Sequence, residues 1–221
     1  MRLKIAALIA GIAMMTSSAW AGTATINFSA CPAGETCPGA IGVSQAYTAD
    51  GYSVTAYGFE QNGAGAFAPT NLYVKQDAGD EHGLGIANED DLEINTSQFI
   101  QLDFSNLANA GITGGNLMIG SVQEGEGYGI YTSDQVGTLG TRELDGMKDE
   151  TYFPVSWTAN DPLVGVTAYV PPDGNCDSDV LLMNFTADPP SPTPEPASLA
   201  LMGTGLIGLA FAYRKYAKTA L

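Results

Sequence analysis

Basic side chains are scarce in this chain: 8 Lys and Arg face 24 Asp and Glu in 221 residues, a formal charge of -16. A surface of that sign repels phosphate, which excludes a nucleic-acid partner. Imidazole is scarcer still, with His82 alone, and no recognisable nucleophile motif accompanies it, so a Ser-His-Asp type of triad is disfavoured. Three scattered cysteines and one histidine are a poor set for the four ligands of a structural zinc site. No helical stripe appears between positions 22 and 188, and no repeat with a period of roughly 20 to 50 residues marks a solenoid. With 45% hydrophobic residues the chain still has the material for the core of one ordinary domain plus appendages.

What is present is period-two alternation among 27 glycines. Short alternating or apolar runs occupy 23–28, 51–59, 71–75, 99–105, 116–122, 128–132, 153–157, 163–170 and 180–186, separated by Gly, Asn, Asp and Pro. This pattern predicts an all-β fold, an antiparallel β-sandwich of jelly-roll type, over 22–188. Val54, Ile100, Leu102, Phe104, Ile119, Trp157, Val166 and Leu182 are the expected core. The Gly-rich stretch 123–131 lacks the lysine of a phosphate loop, carries Glu124 and Glu126, and reads as a glycine-bearing hairpin. Cys31 and Cys37 bracket a short loop and are the expected disulfide, while Cys176 is left over or pairs with one of them.

The two ends read as addresses. Residues 1–21 begin with Arg2 and Lys4, run apolar from Ile5 to Met15, and close on Ala19-Trp20-Ala21. That is a secretory signal helix, cleaved after Ala21, and it implies export through the Sec translocon. Residues 189–196 form a Pro-rich linker. Residues 197–213 carry no charge and span roughly 26 Å as a helix, at the short limit for a single transmembrane segment. The basic tail, 214–221, places itself in the cytoplasm and the sandwich outside.

Pro194-Glu195-Pro196, the glycine-containing apolar run, and Arg214-Lys215 together resemble the PEP-CTERM sorting signal of Gram-negative bacteria. The resemblance implies recognition by a membrane-embedded exosortase, an inner-membrane intermediate with its domain in the periplasm, and a final place on the cell surface or in the extracellular matrix. A second resemblance covers roughly 53–186, carried by DEHGLGIANEDDLEI, FIQLDFSNL and IGSVQEGEGYGIYTSDQVGTLGT; it is to a β-rich ectodomain of exosortase-dependent surface proteins and brings no catalytic residues.

The acidity concentrates in residues 75–94, where seven carboxylates stand among glycines. Hard oxygen ligands in such a loop suit Ca²⁺, with Asp77, Asp80, Glu81, Asp90 and Asp91 as candidate ligands, although the spacing is not that of an EF-hand. The other reading is a solvated acidic loop. Tyr47, Tyr52, Tyr57, Tyr128, Tyr131 and Tyr169 are available for stacking on sugars, or for the core. The expected function is therefore a non-catalytic surface protein, a structural or adhesive part of the cell envelope or of an extracellular polysaccharide (biofilm) matrix. The alternative is a Ca²⁺-dependent carbohydrate-binding module. A secreted glycoside hydrolase ranks third, because 24 carboxylates place some pair at a catalytic separation by chance.

Overall fold

The computed structural model describes residues 23–76, 81–88, 91–172 and 178–188, together with Leu206. Gly22–Pro189 is one compact unit; the other collects Met1–Ala21 and Pro190–Leu221. The expected signal helix and membrane span thus lie outside the described residues, Leu206 excepted, as do Ala19, Ala21, Pro194, Glu195, Pro196, Arg214 and Lys215. Among the described residues no helix is long and apolar enough to cross a membrane.

The described unit is an antiparallel β-sandwich. The first sheet contains β1 (Thr25–Asn27), β2 (Gly39–Gly42), β6 (Leu72–Gln76), β7 (His82–Ile86), β8 (Ile94–Asn95), β10 (Gly114–Gly120), β13 (Thr151–Ser156) and β15 (Asp179–Ala187). Their order is β13-β10-β15-β7-β6-β2, with β1 and β8 also paired to β15. The second sheet contains β3 (Ser44–Ala49), β4 (Tyr52–Gln61), β5 (Phe67–Pro69), β9 (Gln98–Asp103), β11 (Gly127–Ser133), β12 (Thr141–Gly146) and β14 (Leu163–Tyr169). Its order is β12-β11-β14-β9-β4-β3, with β5 on β4. From β9 to β11 and from β12 to β15 each connection changes sheet, so sequence neighbours seldom pair, as in Greek-key and jelly-roll sandwiches.

Alternation decides which side chains meet between the sheets. Val54, Ile100, Leu102, Ile119, Val166 and Leu182 are all buried there, with Phe104 and Trp157. The Phe104 and Trp157 rings stack at 4.2 Å between centroids, and Phe104 touches Phe185 at 4.7 Å. The Trp157 indole N–H donates to the Ile112 carbonyl at 3.1 Å, so its polar edge is satisfied inside. Each such side chain contributes about 1.5–3 kcal/mol by leaving water.

Two local expectations are corrected. The run 99–105 does not stay extended: the Asp103 carboxylate accepts the Ser105 N–H at 2.8 Å and a short helix, α1 (Ser105–Asn109), follows. The stretch 123–131 is not a hairpin, because β10 and β11 belong to different sheets; residues 123–126 turn the chain from one to the other. β3 and β12 lack an apolar alternation and lie at the two edges of the second sheet, where neither face needs to be buried continuously.

Candidate functional site

The two outer sheet faces are covered in different ways. On the second sheet, Gln101 is fully buried although it points away from the core. Its amide donates to the Gln135 and Thr138 carbonyls at 3.3 and 2.9 Å and accepts the Gly137 N–H at 2.9 Å, clamping the 134–140 loop onto the sheet. Beside it Phe99 stacks on Phe59 at 4.9 Å and meets Phe67 edge-on at 4.7 Å. The one carboxylate of this loop, Asp134, is exposed, and the buried groups of the cover carry no charge.

On the first sheet the cover is ionic. Leu72 and Val74 of β6 face the core, so alternation turns Lys75 outward, yet it is buried. Segment 91–93 folds over β7 and makes this possible: a Cβ at Gly85 would sit 2.2 Å from the Leu92 carbonyl oxygen, so only glycine allows the crossing. Glu93, 3% exposed, is thereby placed against Lys75, whose ammonium donates to Glu93 Oε1 at 2.6 Å and pairs with Glu81 at 2.8 Å. The Ser121 hydroxyl also donates to Glu93 Oε1, at 3.0 Å. Burial alone would lower the Lys75 pKa; hydrogen bonds and charge from Glu81 and Glu93 outweigh it and hold the ammonium above the ordinary lysine value.

Two further carboxylates complete this end of the molecule. Glu126, buried before β11, accepts the Gln123 N–H at 2.7 Å. Asp179 opens β15 opposite Asn95 of β8, on the same side as Glu93. Burial, then the charges of Glu93 and Glu126 and more weakly Asp91, push the Asp179 pKa up to about 7. Of the carboxylates expected to bind Ca²⁺, Asp77, Asp80 and Asp90 lie outside the described residues, Glu81 is turned to Lys75, and Asp91 is exposed. Among the described residues no group of three or more His, Cys, Asp or Glu side chains is placed to hold a metal ion. Sequence reasoning missed Glu126 and Asp179, which come from far along the chain and join the acidic segment only through the sandwich topology.

The remaining candidates separate by exposure. Tyr47 and Tyr128 are buried, and their burial raises both phenol pKa values, whereas Tyr52, Tyr57, Tyr131 and Tyr169 are partly exposed. The Arg142 guanidinium lies over the Tyr169 ring at 4.3 Å and is bonded to Asp145. A cleft of about 450 Å³ between β1 and β3 is lined by Thr25, Asn27, Gln45 and Tyr47 and by no Asp, Glu or His. A shallower one of about 220 Å³ is bordered by Glu143 and Asp161. Cys31 and Cys37 form a disulfide, with their Cα atoms 5.7 Å apart, and Cys176 lies outside the described residues.

Residues 192–215 match the PEP-CTERM protein-sorting motif, and the match does not extend into the sandwich. The motif supports an exported, sorted protein that passes through the membrane to the cell surface, and it implies processing by an exosortase. Searches of the curated proteins and of the solved structures find no match to the chain.

Proposed function

We propose that this is a non-catalytic surface protein whose acidic β-sandwich serves as a structural or adhesive unit of the cell envelope or of an extracellular polysaccharide matrix. The observation that carries the reading is the sorting motif at 192–215 following a compact sandwich. Within that sandwich the buried acid Glu93 is engaged by Lys75 and Ser121, an arrangement that builds the fold. All 24 acidic residues lie between positions 22 and 196, opposed there by Lys75, Arg142 and Lys148. Such a surface stays soluble and attracts divalent cations from its surroundings. Replacing Pro194-Glu195-Pro196 by alanines in cells should leave the protein in the membrane fraction and remove it from the surface and matrix; unchanged surface display would overturn the sorting role. Loss of matrix cohesion in a deletion strain, restored by the intact chain, tests the structural role, and an unchanged matrix rejects it.

A second reading, carbohydrate binding, is favoured by the partly exposed Tyr169, over which Arg142 lies while bonded to Asp145, and by the partly exposed Tyr131, which pairs with Arg142 in the strand register. Aromatic faces beside planar polar groups suit a sugar ring. A glycan array run with and without Ca²⁺ distinguishes this reading: binding lost in Tyr169→Ala supports it, and no retained glycan rejects it. The same preparation, tested for hydrolysis of matrix polysaccharide with Glu143→Gln as control, addresses the hydrolase reading.

A further inference from the structure

Glu93 carries a contradiction that its visible partners do not resolve. Both donors that reach it, the Lys75 ammonium and the Ser121 hydroxyl, bind Oε1. Its other oxygen, Oε2, is buried and receives no hydrogen bond. A carboxylate oxygen shut away from water without a donor is strongly disfavoured, so a donor is to be expected. Lys75 is already divided between Glu93 and Glu81. Asp179 is the side chain beside Glu93: β15 pairs with β8 through Asp179 to Asn95 and Val180 to Ile94, which puts residues 93, 95 and 179 on one side of the ladder, and the Asp179 carboxyl, diagonal to Glu93, comes within hydrogen-bonding reach of it. Two carboxylates in this position repel unless one of them holds a proton, and a protonated carboxyl is the donor that Oε2 lacks.

We propose that Asp179 is protonated in the folded protein and donates to Glu93 Oε2, a carboxyl–carboxylate latch that ties the start of β15 to β8 and opens as the pH rises. The groups that face Asp179 act in the same direction. Glu93, Glu126 and Asp91 are all acidic, and the one described cation nearby, Lys75, meets Glu93 and Glu81 instead. Burial and these charges raise the Asp179 pKa from 3.8 to about 7, which agrees with the geometry. The sign follows from linkage. Between these values the folded chain binds a proton that the unfolded chain has lost, so the latch stabilises at acid pH and its contribution disappears as pH climbs toward and past 7. For a protein destined for the cell exterior, the loosened segment is the one leading into β15, the strand that joins β1, β7, β8 and β10.

Asparagine at position 179 supplies an N–H donor to Oε2 that does not titrate, which makes Asp179→Asn the discriminating variant. With the full-length chain, thermal midpoints would be measured from pH 5.5 to 8.5 for wild type, Asp179→Asn and Asp179→Ala. Wild type should fall by about 3 °C relative to Asp179→Asn across this range, in the direction that loss of one hydrogen bond predicts. Asp179→Ala should lie below Asp179→Asn at every pH, with no titrating difference between the two. Parallel curves for wild type and Asp179→Asn would overturn the latch. A carboxyl carbon NMR titration gives the second readout, independent of folding yield. An Asp179 midpoint close to neutral supports the proposal, and one near 4 overturns it.

Discussion

The outer faces of the two sheets meet the same requirement with opposite chemistry. Both must shield a strand that is buried on its far side as well, and both use a polar residue placed on the outward phase of the alternation: Gln101 on β9 and Lys75 on β6. Gln101 is neutral, makes three hydrogen bonds to a loop close in space, and sits beside three phenylalanines. Lys75 is charged and needs Glu93 and Glu81 to remain so while buried. A neutral cover fails by leaving unpaired dipoles. An ionic cover fails by leaving an unpaired charge, and its strength depends on pH.

The largest effect should come from breaking the ionic cover. Lys75→Ala strands Glu93 as a buried carboxylate, and removal of one partner from such a pair costs about 3–5 kcal/mol. Urea unfolding should show this loss at pH 8 and a smaller one near pH 5, because below about 7 Asp179 keeps the proton that it can donate to the stranded acid. The paired change Lys75→Met with Glu93→Leu should recover most of the loss, since burying two apolar groups removes the charge requirement. A single-variant loss that does not change with pH would show that Lys75 matters by packing alone.

Phe99→Ala attacks the neutral cover. Removing a buried ring costs about 3–5 kcal/mol, toward the lower end here because Phe59 and Phe67 can close part of the space. The contrast with Lys75 lies in the pH profile: the loss should be equal at pH 5 and pH 8 in the same urea experiment. A pH-dependent loss would mean that the two covers are coupled through the sandwich.

How much of this was legible in the sequence depends on the range of the interaction involved. Ile100, Leu102 and Phe104 are assigned to the core by alternation alone, because period two is a local property and the core needs nothing else. The same alternation assigns Gln101 to the outside, correctly, but cannot say that residues 134–140 return to cover it. The acidic segment 75–94 was visible as a charge cluster, and its reading as a cation loop rested on composition. What composition could not show is that Gly85 admits the 91–93 crossing and that β15 delivers Asp179 to Glu93 from about ninety positions away. β7 escaped notice because Gly83 and Gly85 occupy the places where outward side chains would have completed a pattern. The sorting motif was legible because it is a linear signal, read by order and spacing with no tertiary contact.

The smallest effect offers the finest test of the comparison. Gln101→Ala removes the amide that holds the Gln135 and Thr138 carbonyls and the Gly137 N–H, but the loop is near the surface and water can replace some of these bonds. A global loss of about 1–3 kcal/mol is expected, concentrated locally. Hydrogen exchange should therefore rise in 134–140 well before it rises in β9 or β14, with little change at Lys75 or Glu93. If exchange rises equally in the 91–93 crossing, the two covers are parts of one cooperative unit and their separate chemistries do not imply separate stabilities. If it stays confined to 134–140, the neutral cover is an independent local element whose opening does not reach the ionic one.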